Sequence, residues 1–196
     1  MDGHFESESK APFKSLSIWS TGDDFCLVPN ALFSQRSPAD WAALSFEVAQ
    51  RALLQKQVKE VGAVLLHTDL GHAQSLVAAE LQLSSKLGTG VFVFLHERHF
   101  DLIQWKGGNL ELCVRNVLEG PADPAYLVSS LLKDAPETEI FLAGLTHLDE
   151  TRALLQRFYP KVASMPSISN LWNEGDFPGV RMVEYFLPIH LHLCAS

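Results

Sequence analysis

Apolar and polar positions change period along this chain, and each change marks an element. Residues 16–19 and 25–28 are short apolar runs on either side of Thr21, Gly22, Asp23 and Asp24. Gly and Asp accept turn geometries, so the two runs read as strands of a hairpin that closes at Pro29, a residue with no N–H to give a ladder. Ser37, Pro38 and Asp40 form a helix start: a capping hydroxyl, a proline at the first helical position and an acid at the capping-box position. Trp41, Leu44, Val48 and Ala52 follow at helical spacing, which carries the predicted helix into residues 55–60. Residues 61–66 have the length of a buried strand. A second helix is predicted from about Gly71, with Ala73, Val77 and Leu81 on one face, and Gly88, Thr89 and Gly90 end it.

The pattern from residue 91 onward is the most ordered. Residues 91–95 are continuously apolar, as in the middle of a sheet covered on both faces. Residues 99–105 make a second strand, and Gly107 and Gly108 sit at the centre of a tight turn. In the third strand, 110–115, alternation puts Leu110, Leu112 and Val114 on one side and Glu111, Cys113 and Arg115 on the other. A three-stranded antiparallel meander results. Asp123 and Pro124 then open a helix carrying Leu127, Val128, Leu131 and Leu132. A short strand over 139–142 ends at Ala143 and Gly144, Thr146 and Asp149 resemble a capping box for the next helix, and residues 161–163 make a last short strand. The expected fold class is α/β, a mixed sheet with helices packed on it. Residues 1–12 are polar and expected to be a flexible terminus, 13–164 form the domain, and 165–196, rich in Pro, Gly and Asn at first and then carrying strand-like runs at 180–187 and 189–193, extend it.

Composition narrows the partners. Fifteen lysines and arginines against 23 aspartates and glutamates give a net charge of −8, which argues against nucleic acid. Three widely spaced cysteines, Cys26, Cys113 and Cys194, make no disulfide framework and suit a reducing compartment. Cys26 and Cys113 lie in apolar strands and read as inert core thiols. There is neither a basic-then-apolar leader nor a run of membrane-spanning length, so the expected location is the cytoplasm, without direct membrane insertion.

The order strand, strand, strand, helix, strand, helix, strand over 91–164 resembles one half of the actin-like ATPase fold, which shares its plan with ribonuclease-H-like domains. The segment Leu27, Val28, Pro29, Leu32 and Phe33 is similar to the leucine-valine-proline, two residues, leucine-phenylalanine signature of an uncharacterised bacterial family with that fold, a domain of unknown function. Phe100 and Asp101, the Gly-containing hairpin and Asn116 fit the same family, and the likeness covers about residues 15–164. Members of that family carry another actin-like half ahead of the signature. The resemblance therefore implies a first half that is missing here or reduced to a hairpin.

It also implies where a nucleotide would sit. Actin-like ATPases hold phosphates on glycine-bearing hairpins, with an Asp nearby that organises magnesium through water. The matching turn here is His96, Glu97, Arg98 and His99, which has no glycine, and bulky side chains hinder close backbone approach to phosphate. Gly144 and Thr146, between a strand and a helix, are the other loop candidates for nucleotide. The expectation is a non-catalytic interaction or scaffold module with no cofactor, bound to a protein partner or to a second copy of itself. The alternative is a nucleotide-binding, ATPase-like protein that takes Mg-ATP and completes its cleft by dimerisation. A two-metal nuclease would need converging carboxylates; Asp101 and Glu111, on neighbouring strands, could face each other but are set against surface acids with no such role. His190, His192 and Cys194 alternate on one strand face and are the best metal candidates, weighed against an ordinary terminal strand. Trp105 at the hairpin, and Trp172 and Phe177 in the loop-rich stretch, are candidate anchors for a partner, unless they fold back onto the core.

Overall fold

The structure is a computed structural model that describes residues 19–20, 24–46, 52–68, 74–144 and 146–165. The first strands run as β1 (Trp19–Ser20) and β2 (Phe25–Pro29), followed by the short helices α1 (Asn30–Phe33) and α2 (Pro38–Ala42). Then come β3 (Leu53–Val58), β4 (Ala63–Thr68), β5 (Gln74–Ser75) and α3 (Leu76–Leu87). The meander β6 (Gly90–Leu95), β7 (His99–Lys106) and β8 (Asn109–Val117) leads to α4 (Ala122–Leu132), β9 (Ile140–Gly144), α5 (Leu148–Leu155) and β10 (Val162–Ser164).

Two sheets organise the molecule. The larger has the order β10-β9-β6-β7-β8, with β9 parallel to both β6 and β10 and the meander antiparallel. One of its faces carries Val91, Val93, Leu95, Phe100, Leu102, Ile140 and Leu142, which pack under Val128 and Leu132 of α4 and Leu148 and Leu155 of α5. Its other face carries Phe92, Phe94, Ile103 and Trp105, which meet α3. The smaller sheet, β2-β4-β3, adds Leu65 and Val58 to the cluster around α3 and turns Val64 and Leu66 the other way, toward Ala42 and Trp41. Helix α3 thus has apolar neighbours on several sides, and Leu76 through Leu81 are all buried, the pattern of a core helix rather than a surface one.

Four sequence expectations change. Among the described residues, strand β2 pairs antiparallel with β4 and not with the preceding run, while Trp19 and Ser20 pair parallel with Gln74 and Ser75. The helix begun at Ser37 has the full capping box, with Ser37 Oγ and the Asp40 carboxylate exchanging bonds with each other's backbone N–H, but its helical residues end at Ala42. Leu44 lies 65% exposed and Ala52 is exposed as well, while Val48 of the predicted stripe lies outside the described residues. Residues 53–58 instead form an edge strand on β4, where pairing overrides the helical preference of Gln and Lys. Third, Thr146 does not cap α5. His147 takes the N-cap position in left-handed backbone, with no side-chain cap bond.

The fourth change lies in the meander. The Gly107–Gly108 turn has φ of +56° and +81° and closes Lys106 onto Asn109, as two-residue hairpins require. One step further the ladder shifts: Trp105 pairs with Leu110 but Gln104 pairs with Leu112, leaving Glu111 as a bulge. The extra residue reverses the face of everything beyond it. Leu110 consequently packs with Cys113 on the α3 side, while Leu112 and Val114 pack on the α4 side.

Candidate functional site

The shifted register sets Arg115 directly opposite Asp101. Without the bulge, Asp101 would oppose Val114. Asp101 alternates with Phe100 and Leu102, so it points into the α3 face of the sheet, where it is completely buried. Arg115 grips it with two parallel bonds, Nε to Oδ1 at 2.7 Å and Nη2 to Oδ2 at 2.5 Å, the geometry that makes Arg–carboxylate pairs strong. The Phe25 ring lies 5.4 Å from the guanidinium carbon, so β2 covers the pair from the smaller sheet.

A second buried carboxylate comes from α3. Glu80, also 0% exposed, places Oε1 2.9 Å from His96 Nε2, and the same imidazole nitrogen is 3.5 Å from Asp101 Oδ2. His99 stacks on His96 with ring centroids 4.5 Å apart. Glu80, His96, His99, Asp101 and Arg115 therefore form one polar cluster beneath the β6–β7 turn. Burial pushes the Glu80 carboxyl up to about 8, with the Asp101 charge adding to the rise and His96 opposing it. Burial works against charge on His96, yet Glu80 and Asp101 outweigh it and raise the imidazole to about 9. Asp101 is driven the other way: burial would raise it, but the bonds from Arg115 and His96 hold it well below the usual carboxylate range.

The sequence candidates fall into place unevenly. His96 and His99 come together. Gly144 pairs in register with Leu95, so Gly144 and the His96–His99 turn lie at the same end of the parallel strands. Gly144, however, has a packing task. Its φ is +144°, and a Cβ there would overlap Leu95 O and lie 2.7 Å from Leu95 Cβ. Thr146 is half-buried just before α5. Trp105 folds back onto the core, 3% exposed, and its indole Nε1 donates to Ser84 Oγ at 2.9 Å. Replacing Trp105 by Phe keeps most of the packing and removes that bond; the expected loss is about 0.5–1.5 kcal/mol in a urea unfolding curve. Asp101 and Glu111 do not converge, because Glu111 is exposed at the bulge. Cys26 and Cys113 are half-buried, and burial raises both thiols. Trp172, Phe177, His190, His192, Cys194 and the termini 1–12 and 166–196 lie outside the described residues.

The sequence reading missed Glu80 and the Asp101–Arg115 pair. A signal for each exists: Glu80 interrupts a helix that is otherwise apolar from Leu76 to Leu81, and Asp101 interrupts an apolar strand. Buried acids need partners, and the bulge hid which partner was available.

No family model matches the chain, and no curated protein does. Among solved structures it is similar to a Bacteroides thetaiotaomicron protein with actin-like ATPase fold and unknown function, at a TM-score of 0.63 and 16% identity. The chain has the actin-like ATPase fold. The match covers 72% of this chain and 64% of the other, so this chain spans less than two thirds of that protein's length. The AlfA filament bound to AMPPNP is a more distant likeness, at a TM-score of 0.42 and 14% identity over 67% of this chain and 47% of that one. Within the actin-like fold, the turn between the first two strands of the meander is the His96–His99 turn. Among the described residues, no helix is long and apolar enough to cross a membrane.

Proposed function

We infer that this actin-like domain is a non-catalytic interaction module that works by binding a protein partner. The observation that carries this reading is the chemistry of the β6–β7 turn. At the place where an actin-like ATPase would present glycine N–H groups to a phosphate, this chain has two stacked imidazoles, one of them tied inward to Glu80. The His96 N–H donates to His99 O at 2.9 Å, and Arg98 O accepts from the Leu118 N–H. Those backbone groups are spent holding the hairpin.

A partner has apolar surface to meet. Val117 is 69% and Tyr126 78% exposed, and both line a groove of about 540 Å³ between the end of β8 and α4. Strand β8 is an edge of the larger sheet among the described residues, so its outer backbone groups are open to pairing. Exposed tyrosine beside aliphatic side chains is a common composition for a binding anchor.

A thermal melt with millimolar Mg-ATP, Mg-ADP or Mg-GTP, run beside a size-exclusion mass measurement, tests this reading. A nucleotide at about 100 times its Kd would add about 2.7 kcal/mol, worth about 5–11 °C in a chain of this size. The expected result is no shift with any of the three. A shift of that size would replace this reading with the nucleotide-binding alternative, and a dimeric mass would identify the partner as a second copy.

A further inference from the structure

Partner binding leaves the polar cluster beneath the β6–β7 turn without a task. His96, His99 and Asp101 each present a ligating atom there, and the three atoms lie within 4.8 Å of one another. Glu80 stands beside them, with Oε1 on His96 and with Oε2 buried and lacking any hydrogen-bond partner. A buried carboxylate oxygen left without a partner is costly, and one on the carboxylate that touches the His96 imidazole is placed to receive a cation.

We propose that the β6–β7 turn is a site for a zinc-type divalent metal, with His96, His99 and Asp101 as ligands and Glu80 closing on the ion as the fourth. Imidazole and carboxylate donors suit zinc and its first-row neighbours. Two histidines disfavour calcium and magnesium, which take oxygen ligands. Tetrahedral zinc, with bonds of about 2.0–2.1 Å, holds its ligand atoms about 3.3 Å apart, so the side chains must draw together on binding. The turn can accommodate this: Glu97 and Arg98 at its tip are exposed, and His96 and His99 are only partly buried, which also gives the ion a way in. The ion would fasten α3, through Glu80, to the β6–β7 turn and β7.

The test uses the full chain stripped of metal and titrated with Zn²⁺ alone by calorimetry, then with Co²⁺ read by visible absorbance. The expected result is one ion per chain and cobalt bands of nitrogen and oxygen coordination without a sulfur-to-cobalt transition. His99→Ala should weaken binding at least about tenfold, while the pair His190→Ala and His192→Ala leaves it unchanged. Absence of saturable binding, or binding that survives His99→Ala and is lost in the His190/His192 pair, overturns the proposal. If His99→Ala does not fold, the cobalt spectrum of the unaltered chain decides: a thiolate band would place the ion at Cys194 or another cysteine and refute the site at the turn.

Discussion

Asp101→Ala should be the most damaging single change in the polar cluster. It removes the carboxylate that Arg115, only 9% exposed, grips with two bonds. It also takes an anion away from the raised imidazole of His96. Breaking one side of a buried ion pair costs about 3–5 kcal/mol, which corresponds to a fall of about 6–20 °C in the melting temperature for a chain of this length. Most of that cost is the poorer compensation of a buried charge and not the lost attraction. A double replacement, Asp101→Leu with Arg115→Met, should accordingly recover much of the loss, since apolar groups of similar size can replace a buried pair with little penalty. Melting curves for the two proteins decide the matter. Equal destabilisation in the single and the double variant would mean that the pair acts through shape alone.

Gly144→Ala is expected to be nearly as severe, for a different reason. The backbone at Gly144 lies in a region that side chains rarely adopt, at a cost of about 1–3 kcal/mol. The new methyl group would overlap the Leu95 carbonyl oxygen on the adjacent parallel strand, and relieving such an overlap costs about 1–3 kcal/mol more. Backbone cannot rotate out of the way as a side-chain tip can. A loss of about 3 kcal/mol or more is expected, read as a lower midpoint in a denaturant curve. Thr146→Ala, two residues on and half-buried, should cost far less. Were Gly144 a phosphate-binding residue and nothing else, Gly144→Ala would leave stability unchanged and affect only nucleotide binding.

The contrast between these sites shows how far the sequence could be read. Where a local pattern and a local partner coincide, the reading holds: the apolar run of β6, the two-glycine turn and the helix of Leu127, Val128 and Leu132 are all where periodicity puts them. Where the partner is distant, periodicity misleads. Residues 53–58 have side chains that suit a helix, yet β4 offers an edge and the backbone takes it. Strand β2 has an inviting turn ahead of it, yet its partner lies more than thirty residues downstream, in β4. The buried cluster was harder still to see. It depends on one inserted residue, Glu111, which moves Arg115 onto the face of Asp101, and on α3 being enclosed, which makes a helical glutamate an interior group. Neither condition can be read from spacing within a single element. The histidines of the turn were visible from the start; the carboxylates that give them a role come from an enclosed helix and a strand whose register the sequence does not announce.

Whether this turn has lost nucleotide binding is tested most directly by an equilibrium titration of the full chain with Mg-ATP, followed by calorimetry. The prediction is no saturable heat up to millimolar nucleotide, because the turn has no glycine to bring backbone N–H groups onto a phosphate and its His96 N–H is spent on His99 O. A saturable isotherm with one nucleotide per chain, weakened by Thr146→Ala, would contradict it and make the His96–His99 turn and the loop after Gly144 the two sides of a working phosphate site.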